Sequence, residues 1–247
     1  MQLFNLLNLV SEELFNFSVP EMGVIKKLSF IFILSVSLGQ WTSFQMDEFT
    51  YSSKKSNMMF RTAGFTSTHN FPIDISKDDR IALGLSMLKG ISENGFLPMI
   101  NGKINVSWNL SLRGRMAAYS AEEGTTQVFG WGLSLKPSKD EESSKWVVNL
   151  DFGKLKSNNT IIVSAIQAST NRQFDLHIFP IHAGFGLNIL NANSKLLSSK
   201  EYQGKKEIQT NFINVGTKIS MDGLNLIPQL WFGSQYTMVS VNIVGTF

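Results

Sequence analysis

From about residue 79 to the end of this chain, apolar residues return at every second position. That is the period of an extended strand with one face covered. "RIALGLSML" sets Ile81, Leu83, Leu85 and Met87 on one side. "KINVSWNLSLRGRMA" sets Ile104, Val106, Trp108, Leu110 and Leu112 against Asn105, Ser107, Asn109, Ser111 and Arg113. "VFGWGLSL" opposes Phe129, Trp131, Leu133 and Leu135 to Gly130, Gly132 and Ser134, and "KWVVNLDFG" opposes Trp146, Val148, Leu150 and Phe152 to Val147, Asn149, Asp151 and Gly153. The last third permits a register. Asp222-Gly223 favours a two-residue turn, which pairs Met221 with Leu224, Ile219 with Leu226, Thr217 with Pro228 and Val215 with Leu230. A second tight connection near Ser234 pairs Phe232 with Thr237, Leu230 with Val239 and Leu226 with Ile243. Three strands then share one apolar face, an agreement that a slip of one residue destroys.

The two faces differ in kind. One carries bulky Trp, Phe, Leu, Ile and Val; the other carries Asn, Ser, Gln, Gly and an occasional Lys or Arg. Large side chains facing lipid and small polar ones lining a confined lumen account for both rows. Charged residues make up 17% of the chain, below the roughly 25% of soluble domains. The mean hydropathy of +0.01 is too low for a polytopic helical membrane protein. A scattered net charge of +3 offers no basic patch for nucleic acid. With no cysteine, disulfides, thiolate metal sites and a lipoprotein anchor are ruled out together.

The expected fold is all-β: an antiparallel up-and-down transmembrane barrel of about ten to twelve strands over 79–247. With 102–120 taken as one long strand, the number is ten. The long polar connections 89–101, 136–145 and 191–207 then fall at one mouth. The short ones at 121–125, 179–180 and 221–223 fall at the other with the C-terminus, and 169–172 and 233–235 are short members of the first set. A hairpin at Ser111–Arg113 together with an added strand from "NMMFRTAGFTS" (57–67) makes twelve.

Ahead of the strands, "MGVIKKLSFIFILSVSLGQW" has Lys26 and Lys27 before an apolar core at Leu28–Leu38, with small residues at Ser37 and Gly39. This reads as an export signal at 22–39, too short in its apolar run to span a bilayer. Residues 1–21 form an extension upstream of a start at Met22, and 40–78 reads as an irregular N-terminal segment.

Together, the export signal, the alternating strands and the closing "VSVNIVGTF" resemble bacterial outer-membrane β-barrel proteins. The resemblance implies that the final strand is read by the barrel-assembly machinery through Phe247 and the alternate residues Ile243, Val241 and Val239. It also implies the outer membrane of a Gram-negative cell, with its lipid as partner and small solutes as candidate cargo for a narrow porin-like channel. The other form open to it is a structural barrel.

Candidate lumen-lining residues are Asn105, Ser107, Asn109, Arg113, Arg115, Asn149, Asp151, Asp175, His177, His182 and Lys218. Arg113 and Arg115 suit a constriction that selects by charge, or contacts with Asp151 that fill a plugged lumen. A Phe179-Pro180 turn sets His177 opposite His182 with Asp175 beside them, a donor set for a divalent metal or acid–base chemistry. Phe-Pro is a poor hairpin turn, and ordinary interior polar residues are the competing reading. Glycines in "FGWGLS" and "HAGFGLN" lie within strands without a following helix, so they relieve crowding rather than bind phosphate. Trp108, Tyr119, Trp131, Trp146, Trp231 and Tyr236 are candidates for interfacial belts. No catalytic residue, cofactor or metal is assigned, and the chain is read as non-enzymatic. The alternatives are a secreted or periplasmic β-sandwich binding module and a barrel lipid hydrolase needing a Ser-His pair at the membrane edge.

Overall fold

A computed structural model of the chain describes residues 41–44, 54–72, 80–91, 95–121, 124–137, 145–157, 161–175, 180–195, 203–221 and 224–247. These belong to one compact unit, Gly39–Phe247. The export signal and the upstream extension lie outside the described residues. Among the described residues one helix, α1 (Lys54–Ser67), precedes eleven strands: β1 (Ile81–Gly90), β2 (Leu97–Asn105), β3 (Leu110–Ala121), β4 (Gly124–Leu135), β5 (Trp146–Ser157), β6 (Ile161–Asp175), β7 (Pro180–Lys195), β8 (Gln203–Thr217), β9 (Ile219–Met221), β10 (Leu224–Gly233) and β11 (Tyr236–Thr246). Each strand pairs antiparallel with its neighbours, and β11 returns to β1, so the sheet closes. Closure leaves no edge. The expected up-and-down barrel is present, and a sandwich of two open sheets is not.

β8 and β9 are two parts of one stave, which brings the wall to ten. Leu230 pairs with Val215 on β8, and Leu226 with Ile219 on β9, in a single register. Pro228 sits at the gap between those ladders. Proline has no N–H to give to a ladder, so the ladder lapses there without a change of register. The C-terminal registers agree with the sequence reading at Met221–Leu224, Ile219–Leu226, Val215–Leu230, Phe232–Thr237, Leu230–Val239 and Leu226–Ile243.

Elsewhere two errors of strand division cancel in the total. The stretch 102–120 is two strands, not one: β2 ends at Asn105 and β3 starts at Leu110. The break therefore falls earlier than Ser111–Arg113. Ile104 pairs with Leu112 and Asn105 with Ser111, so even residues meet even ones and the alternation runs through the turn without a break. Ser107 and Asn109 belong to that turn rather than to the lumen wall. Conversely, 169–172 is no connection, because β6 runs through it to Asp175. Its polar residues read as a loop, yet Ser169 and Asn171 are buried facing inward, and Arg172 lies over the rings of Trp146 (5.4 Å) and Phe174 (5.2 Å). Every strand between the two errors runs opposite to the expected direction. The long connection 136–145 thus lies at the mouth of the C-terminus, while 91–96 and 196–202 lie at the other, and the expected segregation of loop lengths is not observed.

The wall has two zones. Near the mouth of the C-terminus the outward row is apolar and exposed, with Leu85, Met116, Trp131, Leu150, Phe185 and Ile213 among its members. Inward at the same level are Asn101, Arg113, Asp151, Gln167, Asn188 and Asn242, all buried. Toward the other mouth the polarity exchanges faces within single strands. On β5 the outward row passes from Leu150 and Phe152 to Lys154 and Lys156, while the inward row passes from Asn149 and Asp151 to Leu155. On β8 the outward residues Lys205, Glu207, Gln209 and Asn211 are exposed, and Ile208 and Phe212 are buried inside. The first zone is a lipid belt and the second a collar organised like a soluble protein. Strand length agrees: β6, β7 and β8 have 15, 16 and 15 residues, against about 9–11 needed to cross a bilayer. The large inward aliphatics of the collar are a departure from the expected polar lumen.

Segment 40–78 is not irregular throughout, nor does 57–67 supply a strand: α1 occupies the lumen. A closed ladder has no free backbone partners to offer, so an enclosed segment must satisfy its own N–H and C=O groups, which a helix does. The helix stops at Ser67. Thr68 N (3.1 Å), Thr68 Oγ1 (2.9 Å) and Ser67 Oγ (2.9 Å) all donate to the Gly64 carbonyl. In the collar, Phe60, Ala63 and Phe65 join Leu88, Leu97, Val128, Leu155, Leu190 and Trp231 in one apolar core. Phe65 stacks on Tyr236 with centroids 4.7 Å apart and meets Phe212 edge-on at 5.2 Å. Trp231, Tyr236 and Tyr119 thus face the lumen and form no interfacial belt, whereas Trp108, Trp131 and Trp146 are exposed outside.

Candidate functional site

The candidate site is the filled lumen of the belt. Arg113 and Arg115, two apart on β3, point inward and converge on Asp151 of β5, which is fully buried. Arg113 NH2 reaches Asp151 Oδ2 at 3.0 Å, and Arg115 NH2 donates to Oδ1. Strand β4 lies between them, and the ladder places Gly132 beside both Arg113 and Asp151. A Cβ at Gly132 would stand 2.1 Å from Asp151 Oδ1, so the ion pair exists only because that residue has none. The sequence reading of these glycines as relief of crowding is therefore correct at this position. Two guanidiniums share one carboxylate in this cluster, and low dielectric makes their mutual contacts strong and each member costly to remove.

The plug supplies the remaining partners. Asn70 Nδ2 donates to Asp151 Oδ2 at 2.9 Å. Thr68 Oγ1 lies 3.1 Å from Gln167 Oε1 and accepts from Asn188 Nδ2 at 2.8 Å, while Gln167 Nε2 donates to the Thr68 carbonyl at 3.3 Å. His69 Nε2 lies 3.1 Å from Asn242 Oδ1, which also accepts from Ser86 Oγ, and Ser86 Oγ accepts in turn from Asn101 Nδ2. Close approach needs space on the wall: a Cβ at Gly153 would be 2.0 Å, and at Gly130 2.5 Å, from the Ser67 carbonyl oxygen. None of Thr68, His69 and Asn70 was identified from sequence. They lie outside the strands, and their only signal is a polar run, "THN", directly after a stretch whose Phe60, Ala63, Gly64 and Ser67 share a helical face.

Of the other sequence candidates, Asn149 is buried and accepts from Ser134 Oγ at 2.9 Å. Asn105 accepts from Ser111 Oγ at 2.8 Å near the rim. Lys218 is half-buried where β8 gives way to β9, with its N–H on the Pro180 carbonyl at 3.3 Å. His182 is buried on β7, and the ladder sets it opposite Gln173, not His177. The expected Phe179-Pro180 turn is wrong, since Pro180 is already in β7 and pairs with Asp175. His177 and the side chain of Asp175 lie outside the described residues. Among the described residues no cluster of metal-ligating side chains is found. The terminal row lies as expected: Val239, Val241 and Ile243 face outward, and Phe247, 69% exposed, is bonded to Arg80 and Ile81 across the β11–β1 seam.

A closed antiparallel wall, apolar outside and polar inside over the length of a bilayer crossing, defines the class: a β-barrel of the bacterial outer-membrane type. No family model matches the chain, and no curated protein matches it. Among solved structures it is similar to the N-terminal barrel domain of Pseudomonas aeruginosa OprF (10% identity, 68% of this chain and 98% of that one, TM-score 0.37). It is also similar to the KdgM porin in complex with disordered oligogalacturonate (9%, 67% and 99%, 0.39) and the translocator domain of the Neisseria meningitidis autotransporter NalP (8%, 79% and 97%, 0.39). Scores this low carry no functional argument. The class rests on the ladders and the two faces.

Proposed function

We propose that this chain is an outer-membrane barrel whose lumen is closed by its own N-terminal segment, a structural barrel in preference to an open diffusion channel for small solutes. The observation that carries this is α1 with residues 68–71, anchored in an apolar core at the collar and in the Asp151, Gln167 and Asn242 contacts at the belt. Arg113 and Arg115 are engaged by Asp151 and so fill the lumen rather than line a charge filter. The exposed apolar belt supports outer-membrane lipid as a partner, and the ordered terminal Phe247 supports recognition by the assembly machinery of a Gram-negative cell after export. A non-enzymatic role is supported by His69 and His182, both buried in the lumen away from the lipid-facing surface where a lipid hydrolase needs its base. In planar bilayers the intact protein is expected to show no steady conductance. Gly153→Val, which drives a side chain into the Ser67 carbonyl, should produce openings; steady ohmic current from the parent protein would refute closure.

A further inference from the structure

The contacts of the N-terminal segment follow one order of depth. Thr42 N donates to the Phe96 carbonyl at 3.1 Å, and Tyr119 OH donates to the Thr42 carbonyl at 3.1 Å, both near the collar mouth. Arg61 reaches Thr210 and Gln235 at 3.1 Å each, the latter in the tight connection between β10 and β11 at that same mouth. Ser67 then passes the glycines of β4 and β5. Asn70 meets Asp151 in the belt, and Phe71 packs with Ala82, Ile227 and Val244 near the mouth where β11 ends. The chain continues to Arg80 at that mouth, beside Phe247.

We infer that the N-terminal segment is threaded through the barrel from mouth to mouth, so that in a membrane Trp41–Phe44 lie on the face opposite Phe247. This inference rests on the membrane reading above. The ring of strands closes through β11 and β1, so the segment has no lateral path back; a crossing of the lumen is a crossing of the bilayer. The collar mouth therefore carries Trp41–Phe44, held there through Thr42 by Phe96 and Tyr119.

The chain has no cysteine, so single ones can report sidedness without a background. Ser43→Cys, Ser234→Cys in the turn between β10 and β11 at the collar mouth, and Ser107→Cys in the turn between β2 and β3 at the mouth of the C-terminus are placed in the full-length protein in sealed vesicles. Each is treated with a membrane-impermeant maleimide before and after detergent. The expected result is that Ser43→Cys and Ser234→Cys label to the same fraction, with Ser107→Cys labelled to the complementary one. Labelling of Ser43→Cys together with Ser107→Cys would overturn the threading while leaving the membrane barrel intact. Full labelling of all three without detergent would overturn the membrane reading, and the inference with it.

Discussion

The belt and the collar are built from the same strands with the same period, yet they solve opposite problems. In the belt the outside is dry, so Leu150 and Phe152 point out and Asp151 is enclosed with its arginines. In the collar the outside is wet, so Lys154 and Lys156 point out and Leu155 is fully buried. The lesson is that alternation reports which residues share a face, not which face is inside. The side that takes the large apolar residues is chosen by the solvent at that height, and it changes along a single strand.

Substitutions chosen in pairs can break or sharpen this contrast. The largest expected effect is on the enclosed charge of the belt. Asp151→Ala leaves two guanidiniums and Asn70 without their acceptor, and should cost about 3–5 kcal/mol. Urea unfolding from lipid vesicles measures it, and a loss below about 1 kcal/mol would show that the charges are not enclosed as described. Leu155→Ala opens a cavity in the collar core and should cost about 2–5 kcal/mol in the same assay. Unchanged stability would mean that the collar interior is not packed against α1.

On the outer surface, the sharpest pair shares strand β8. Val215→Lys puts a charge into the lipid belt and should cost about 2–4 kcal/mol. Gln209→Lys, on the same face in the collar, should stay within about 0.5 kcal/mol. Equal costs would place the boundary between the zones elsewhere.

Loss of Phe247 should have only a small direct effect on stability, below the ~1.5–3 kcal/mol of a fully buried apolar side chain, because the residue is 69% exposed. Membrane-fraction yield of folded protein should nonetheless fall sharply on its deletion and be kept in Phe247→Tyr. Equal yields for the parent and both variants would remove the assembly-signal role.

How much of this was legible beforehand depends on what a residue's neighbours in sequence can reveal. The hairpin registers around 222–223 and 234–235 were readable, because a tight turn fixes pairing locally and period two fixes the face. The turn at 106–109 was not, since even residues pair with even ones across it and the apolar rows continue unbroken. The run 169–172 misled for the reverse reason: Ser169 and Asn171 are polar because they face the lumen, not because the chain turns. Of the site, the arginines and Asp151 could be placed on one face from sequence. The plug residues Thr68, His69 and Asn70 could not, for their partners lie on strands far along the chain.

Local alternation and turn chemistry were enough to set the period, most of the pairing in the last third and the apolar terminal row, but not every strand boundary. Only the tertiary structure decided that the ring closes at β11–β1, that the polarity of the wall exchanges faces at the collar, and that the N-terminal segment is a helix in the lumen. The physical reason is shared. Closure creates an interior without backbone partners and an exterior that meets two solvents, and neither condition exists until every strand has found its neighbour.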